Sequence, residues 1–160
     1  MDYLPVFLDV RGRTALVVGG GKVALRKAEL LVQAGALLRV VAPRILPALA
    51  ALAERHGGRC ESAPFAPHHL DGAALAIVAT GDPGVDAAVQ REAAARDVPL
   101  NVADRPALCS FILPAVVDRS PVIVAFSTGG RVPVLALSLR ARLEAMLPAG
   151  LGRLAEFLGA

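Results

Sequence analysis

Short apolar runs alternate with amphipathic stretches along the first hundred residues of the chain. Residues 14–18 form a continuous run rich in β-branched side chains, which predicts a buried parallel strand. Residues 22–34 carry apolar side chains at helical spacing, and Gly35 just past them predicts a helix end. Further strands are predicted at residues 37–42, 59–63, 74–79 and 100–103, and further helices at residues 45–56 and 83–96. This alternation predicts an α/β fold, a parallel sheet with helices on both faces.

The pattern changes after residue 104. Residues 110–113 and 121–127 are typical of strands that pair as a hairpin or meander, with a turn at residues 118–120. Residues 133–147 predict a helix with one leucine stripe, and residues 151–158 predict a short amphipathic helix. We expect the stripe to pack against a partner chain, because little sequence follows that can cover it. The stripe consists of Leu135, Leu139, Leu143 and Leu147.

Length and composition narrow the class of protein. The 160 residues, 55% of them hydrophobic, are enough for one domain with a small appendage and exclude intrinsic disorder as the main state. The net charge of +3 comes without a basic stripe or an aromatic stacking set, so no nucleic-acid partner is predicted. No apolar run reaches the roughly 18 residues of a membrane span, and the start lacks signal-peptide character. With two cysteines only, we expect a cytoplasmic protein.

A glycine motif stands between the first predicted strand and the first predicted helix. Gly19 allows a tight turn, Gly21 lets the backbone approach a pyrophosphate, and Ala24 lets the helix pack close to the strand. The helix begins with Lys22 and Val23, whose free N–H groups favour an anion. The motif therefore predicts a nucleotide site, and the alternative is a purely structural glycine turn.

The second strand lacks the acidic residue that usually binds the ribose of NAD at its end. The chain there runs through Pro43 and Arg44. Either Arg44 binds the 2′-phosphate of NADP, or backbone groups around Pro43 and Arg44 bind the ribose. The alternative is that Arg44 is a solvated surface residue.

Several segments in order resemble the precorrin-2 dehydrogenase family, the N-terminal module of siroheme synthases. The resemblance covers nearly the whole chain and is carried by residues 5–8, 17–27, 35–36, 41–43, 79–82, 101–104, 110–115, 118–121, 127–130 and 133–136.

This resemblance implies an NAD-binding Rossmann domain at residues 1–113 and a dimerisation segment at residues 114–147. Residues 148–160 then form the start of a C-terminal helical region, which the family continues further. The implied activity is NAD⁺-dependent oxidation of precorrin-2 to sirohydrochlorin by a homodimer. Many members also insert Fe²⁺ to give siroheme. The alternative is a non-catalytic module that binds NAD or a tetrapyrrole.

Asp104 is the candidate catalytic residue. It follows a predicted strand whose carboxyl end faces the ligand crevice, where a carboxylate can take a proton from the substrate. Spacing alone favours a turn or cap for Asp104, whereas the resemblance implies the catalytic role. Asn101 on the same strand is a candidate hydrogen-bond partner of the cofactor, and Thr80 is placed to line the same crevice. Asp82 is predicted to be a helix N-cap.

A tetrapyrrole rich in carboxylates needs arginine forks and backbone N–H groups. We expect one or two of the arginines in the later part of the chain to contact the substrate, although each one alone is more often a surface residue. The turn at residues 127–130 before a helix is a second anion-binding candidate. The candidate substrate residues are Arg105, Arg119, Ser127, Thr128 and Gly129, with Arg131 and Arg140 nearby.

No metal site is predicted. His68 and His69 lie in a proline-flanked loop without a partner at helical ligand spacing, so we expect a surface pair. Cys109 has no identifiable base and is expected to be a small buried side chain.

Overall fold

The computed structural model describes residues 2–129 and 132–159. The chain divides into two compact units, one formed by Pro5–Phe111 and the other by Ile112–Ala160 together with Met1–Leu4.

The first unit contains a sheet of five parallel strands. Its order is β3-β2-β1-β4-β5, so β1 is central and the connection from β3 to β4 crosses to its other side. The strands are β1 (Thr14–Val18), β2 (Leu37–Val41), β3 (Arg59–Glu61), β4 (Ala73–Val78) and β5 (Leu100–Val102). The predicted parallel sheet is thereby confirmed.

Three helices cover this sheet, namely α1 (Lys22–Gln33), α2 (Pro47–Arg55) and α3 (Pro83–Ala94). Parallel crossovers are right-handed, so the reversal of strand order at β1 places α1 and α2 on one face and α3 on the other. The continuous apolar runs are explained by this two-sided cover, and the side chains of Leu16, Val17 and Ile77 are fully buried. The reversal next to β1 is where open α/β sheets bind ligands.

The second unit contains an antiparallel hairpin and two helices. Ala115 pairs with Phe126 and Arg119 with Val122, so the connection is the two-residue turn Ser120-Pro121. A Cβ on Gly152 would overlap the Ser120 carbonyl, which shows how closely α5 approaches this turn. The elements are β6 (Ala115–Arg119), β7 (Val122–Phe126), α4 (Pro133–Met146) and α5 (Leu151–Gly159).

Two predicted details of this region are wrong. Residues 110–113 do not form a strand, because the N–H groups of Ser110 and Phe111 both donate to the single carbonyl of Leu100 and start no ladder. The turn also lies later than predicted, since Asp118 and Arg119 belong to β6. A local pattern cannot show this shift, which depends on pairing with β7.

The leucine stripe of α4 is only partly covered. Leu135 is 47% exposed, and Leu139, Leu143 and Leu147 are half-buried. Val134 and Met146, at the two ends of the helix, are also exposed. Apolar surface thus remains on this helix in the single chain. No helix within the described residues is long and apolar enough to cross a membrane.

Candidate cofactor and catalytic site

The glycine turn after β1 is confined on two sides by backbone. Gly19 has a φ of 130°, and a Cβ there would overlap the backbone of Ala79, which follows β4. A Cβ on Gly20 would overlap the carbonyl of Arg44, which follows β2. The Gly19 N–H donates to the Val41 carbonyl at 2.9 Å. Glycine at 19 and 20 is therefore required by the fold itself.

Gly21 differs from its two neighbours. Its φ of −92° suits any residue, and a Cβ there would meet nothing within 4 Å. It is the N-cap of α1, and no side chain accepts a hydrogen bond from the first N–H groups of that helix. Lys22 and Val23, the first helical residues, are exposed. The free N–H groups and the helix dipole make this end of α1 an anion site, and Gly21 leaves room for the anion to approach.

A cavity of about 340 Å³ adjoins this turn. Gly20 and Gly21 line it from one side and Arg44, Ile45, Leu46 and Pro47 from the other. Pro43 and Arg44 are both exposed where β2 ends, and the chain places no acid there. This arrangement agrees with the nucleotide site that the glycine motif predicts. The role of Arg44 toward the ribose stays a prediction.

Thr80 and Asp104 occupy equivalent places on neighbouring strands. Val78 of β4 pairs with Val102 of β5, and each of the two polar residues follows its paired valine by two positions. Both strands end at the same edge of the sheet as β1, because the sheet is parallel. Asp104 is exposed and has a φ of 59°, a left-handed conformation that is uncommon outside glycine. The structure therefore brings the candidate catalytic carboxylate to the predicted crevice.

The Asn101 side chain makes a hydrogen bond within the fold. Its side chain is buried, and its amide nitrogen donates to the Phe111 carbonyl at 3.0 Å. This bond attaches the segment after residue 109 to β5. The contact of Asn101 with the cofactor stays a prediction.

Sequence reasoning missed Asp86. This carboxylate lies in the first turn of α3 with its side chain only 3% exposed. Thr80 Oγ1 donates to Asp86 Oδ1 at 2.5 Å, and Arg105 Nε lies 3.3 Å from Asp86 Oδ2. In the sequence Asp86 looks like one more polar position of a surface helix, so no local signal reveals its burial.

The predicted N-cap is confirmed, since Asp82 Oδ1 accepts hydrogen bonds from the N–H groups of Gly84 and Val85.

Lys27 of α1 is a second charged group near the candidate base. Burial and the neighbouring Arg26 lower the pKa of Lys27, while the Asp104 carboxylate and the Cys109 thiol act in the opposite direction. Cys109 Sγ accepts a hydrogen bond from the Val102 N–H at 3.1 Å. Cys109 is thus a half-buried structural side chain, as predicted.

The substrate candidates of the second unit are engaged locally. Arg119 donates from Nε to the Leu147 carbonyl at 3.0 Å, at the end of α4, and from Nη1 to the Asp118 carbonyl. Arg140 forms an ion pair with Glu144 one turn along α4, at 3.1 Å. The roles of these arginines toward a substrate stay predictions.

The turn after β7 is held by local hydrogen bonds. The Gly129 N–H donates to Ser127 Oγ at 3.0 Å, and Gly129 has a φ of 65°. Thr128 Oγ1 accepts a hydrogen bond from the Val132 N–H. Gly130 and Arg131, which the sequence also singles out, lie outside the described residues.

His69 is not a surface residue, contrary to the sequence prediction. It is buried, and its Nε2 lies 3.2 Å from Glu61 Oε1, while the ligand atoms of Glu61, His68 and His69 lie within 4.8 Å of one another. However, His69 Nδ1 accepts a hydrogen bond from the Ala66 N–H at 2.9 Å. Nε2 of a neutral ring then carries the hydrogen, whereas a metal at Nε2 requires Nδ1 to donate. The cluster therefore lies between β3 and the loop before β4, and the hydrogen bond at Nδ1 holds His69 within that loop.

These features define a class of protein. A central strand, a glycine turn, an uncapped helix N-terminus and a strand-order reversal together form a dinucleotide-binding domain. A family model described as "Putative NAD(P)-binding" matches residues 6–115. The chain belongs to this NAD(P)-binding family, and NAD is its cofactor.

Relatives sharpen this assignment. The chain is 57% identical to a siroheme synthase of Azotobacter vinelandii (strain DJ / ATCC BAA-1303) over 155 residues, which cover 97% of this chain and 33% of that protein. It is 56% identical to the siroheme synthase of Pseudomonas entomophila (strain L48), with 97% and 34% covered. The resemblance found in the sequence is thereby confirmed. The chain spans about a third of the length of these curated relatives.

A solved structure titled "SirC, precorrin-2 dehydrogenase" is also similar. It superposes with a TM-score of 0.80 and 26% sequence identity, over 98% of this chain and 77% of that one. The similarity extends over both compact units of the chain.

Proposed function

We propose that this chain catalyses the NAD⁺-dependent dehydrogenation of precorrin-2 to sirohydrochlorin. The observation that carries the proposal is the position of Asp104, an exposed carboxylate at the same sheet edge as the open N-terminus of α1. The siroheme synthase relatives and the similarity to a precorrin-2 dehydrogenase support the choice of substrate.

Dehydrogenation removes a hydride and a proton from the reduced ring. NAD⁺, when bound, supplies the acceptor for the hydride and is reduced to NADH. Asp104 accepts the proton, and its carboxylate becomes a carboxylic acid that solvent restores to the ionised form. Exposure of Asp104 gives water access for that return step. Gly21 and the first N–H groups of α1 orient the cofactor, and Thr80 lines the crevice beside Asp104.

Anions of the substrate need partners beside this carboxylate. Arg105 follows Asp104 directly and has a side chain that is 40% exposed. We propose Arg105 as a contact for a substrate carboxylate. The substrate contacts predicted for Arg119, Ser127, Thr128 and Gly129 stay predictions. Metal insertion is a second activity within this proposal, in which Fe²⁺ is a substrate and Asp104 accepts protons from the pyrrole N–H groups.

The proposed assembly is a homodimer in which residues 114–147 pack against a second copy. The partly exposed leucine stripe of α4 supports it, because such apolar surface is typical of an interface. We also propose that the boundary of the cofactor domain lies at residue 113 and that residues 148–160 begin a helical region. Both cysteines are free, which fits a cytoplasmic location.

Anaerobic incubation of the purified chain with precorrin-2 and NAD⁺ tests the function. We expect NADH and sirohydrochlorin to form in equal amounts. A folded chain that binds NAD⁺ but forms no NADH would instead be a binding module without catalysis, which is the rival function.

A further inference from the structure

A buried carboxylate links the two loops that carry the proposed site. The Asp86 side chain is 3% exposed, and an ionised carboxylate is retained at such a place only when hydrogen bonds and an opposite charge stabilise it. Both are present, because Thr80 donates to Oδ1 at 2.5 Å and Arg105 Nε lies 3.3 Å from Oδ2. Both carboxylate oxygens are therefore engaged.

The two partners belong to different loops at the same sheet edge. Thr80 lies in the loop between β4 and α3, and Arg105 lies in the loop that follows β5. Asp104 stands directly before Arg105, in the left-handed conformation with a φ of 59°. Such a conformation is unfavourable for a residue with a Cβ and persists where neighbouring contacts fix it. The ion pair to Asp86 is a contact that fixes the next residue.

The ion pair with Asp86 also determines which nitrogen atoms of Arg105 remain available to bind a ligand. The guanidinium uses its Nε on Asp86, and no described residue accepts a hydrogen bond from its Nη atoms. A guanidinium held by Nε presents its outer N–H groups together, which suits a carboxylate of a ligand.

We infer that Asp86 is a positioning residue of this site, which fixes Arg105 toward a substrate carboxylate and, through Arg105, fixes the backbone of Asp104. This inference rests on the proposed function, because it assigns Asp104 and Arg105 to the same reaction. Asp86 itself touches neither substrate nor cofactor. Because the Asp86 side chain is buried, we expect its carboxylate to act only through its two partners.

Asp86→Asn is the informative variant. An asparagine amide oxygen still accepts from Thr80, while the charge that holds Arg105 is lost. We expect kcat/KM for precorrin-2 to fall at least about tenfold, since small displacements of reacting groups are costly, and the Kd for NAD⁺ to change less than about twofold. The matched control is Glu92→Gln on the same helix, which removes the exposed ion pair to Arg96 and is expected to leave kcat/KM unchanged.

A double variant separates positioning from stability. If Asp86 acts through Arg105, then Asp86→Asn combined with Arg105→Gln is no slower than Arg105→Gln alone. Multiplying effects in the double variant would overturn the inference. A lower Tm for Asp86→Asn with unchanged kcat and KM would also overturn it, because the residue would then only stabilise the fold.

Hydrogen exchange tests the inference without turnover. We expect the peptide that spans residues 103–109 to exchange faster in Asp86→Asn, while β1 exchanges at the wild-type rate. Equal exchange at residues 103–109 would contradict the positioning role. A wild-type chain without NADH formation would overturn the proposed function, whereas the exchange experiment still decides whether Asp86 holds this loop.

Discussion

Gly20 lies against the backbone carbonyl of Arg44, so closely that a single methyl group on Gly20 would overlap it. Gly21, one residue further along, has nothing within 4 Å of the same position. Gly20 and Gly21, although neighbours in one turn, thus serve different purposes. The first lets the loop after β2 approach closely, and the second leaves open space at the start of α1, where we propose that the cofactor binds.

Gly21→Ala therefore tests the cofactor site without disturbing the fold. We expect its Tm to stay near that of the wild type, because φ is −92° and the added methyl group meets no neighbour. The Kd for NAD⁺ is expected to rise at least about tenfold, since the methyl group points to the pyrophosphate position. Calorimetry and thermal melting measure the two effects. Gly20→Ala is the matched comparison, with a lowered Tm as its first effect.

Arg44→Ala tests whether the Arg44 side chain or the backbone at the end of β2 binds the ribose of the cofactor. Removing a guanidinium from an anion removes a charge-assisted contact, so NADP⁺ binding should weaken about tenfold if the side chain reaches the 2′-phosphate. NAD⁺ binding is expected to change less than about threefold, because its ribose lacks that charge. Titration calorimetry with both cofactors measures the difference. No loss for either cofactor would show that the backbone and not the Arg44 side chain lies at the ribose.

Asp104→Asn removes the proposed base and keeps the size of the side chain. Asparagine also tolerates the left-handed conformation, so the fold and NAD⁺ binding should persist. NADH formation from precorrin-2 is expected to fall by about a hundredfold or more, as is typical for loss of a general base. Asp97→Asn is the matched control, because Asp97 has a similar φ of 53° and lies before β5, at the opposite end of that strand. Similar rates for wild type and Asp104→Asn would remove Asp104 from the chemistry.

The hairpin turn of the second unit predicts a pH-dependent stability. Ser120 donates to Asp118 from its hydroxyl and its N–H, and these bonds lower the pKa of Asp118 in the folded chain. A depressed folded pKa contributes stability above the ordinary pKa of aspartate, near 4, which is lost as pH falls through the folded pKa. Asp118→Asn should lower the Tm slightly at pH 7, because the carboxylate and its hydrogen bonds are exposed to solvent, and the difference should vanish in more acidic buffer. Glu156→Gln on α5, an exposed position, should show no such trend.

The apolar face of α4 predicts the outcome of an assembly experiment. Leu135→Glu adds a charge to the leucine stripe at a position that is 47% exposed in the single chain, so the folded unit should tolerate it. We expect a dimer for the wild type and a monomer for the variant by light scattering. Ala141→Glu on the opposite face of α4 is the control and should remain dimeric. A monomeric wild type would contradict the proposed homodimer.

The sequence predicts most of the first unit because its signals are local. Residues 14–18 are apolar on both sides of the strand, and Asp82 followed by Pro83 marks a helix start by itself. The burial of Asp86 and Asn101 could not be predicted, because it depends on partners far along the chain or on another element. The error at residues 110–113 has the same origin, since apolar character predicts a strand whether or not a partner strand is available.

The outer edge of β5 is closed by side chains. The Leu100 N–H donates to Ser110 Oγ at 2.7 Å and the Val102 N–H to Cys109 Sγ at 3.1 Å. An open sheet edge normally recruits any extended chain with free backbone groups and so invites aggregation. Here a hydroxyl and a thiol occupy the donors instead, and the sheet ends at five strands. The short segment that contains Cys109 and Ser110 thus protects the cofactor domain from edge-to-edge association. It also connects β5 to the second unit along the chain.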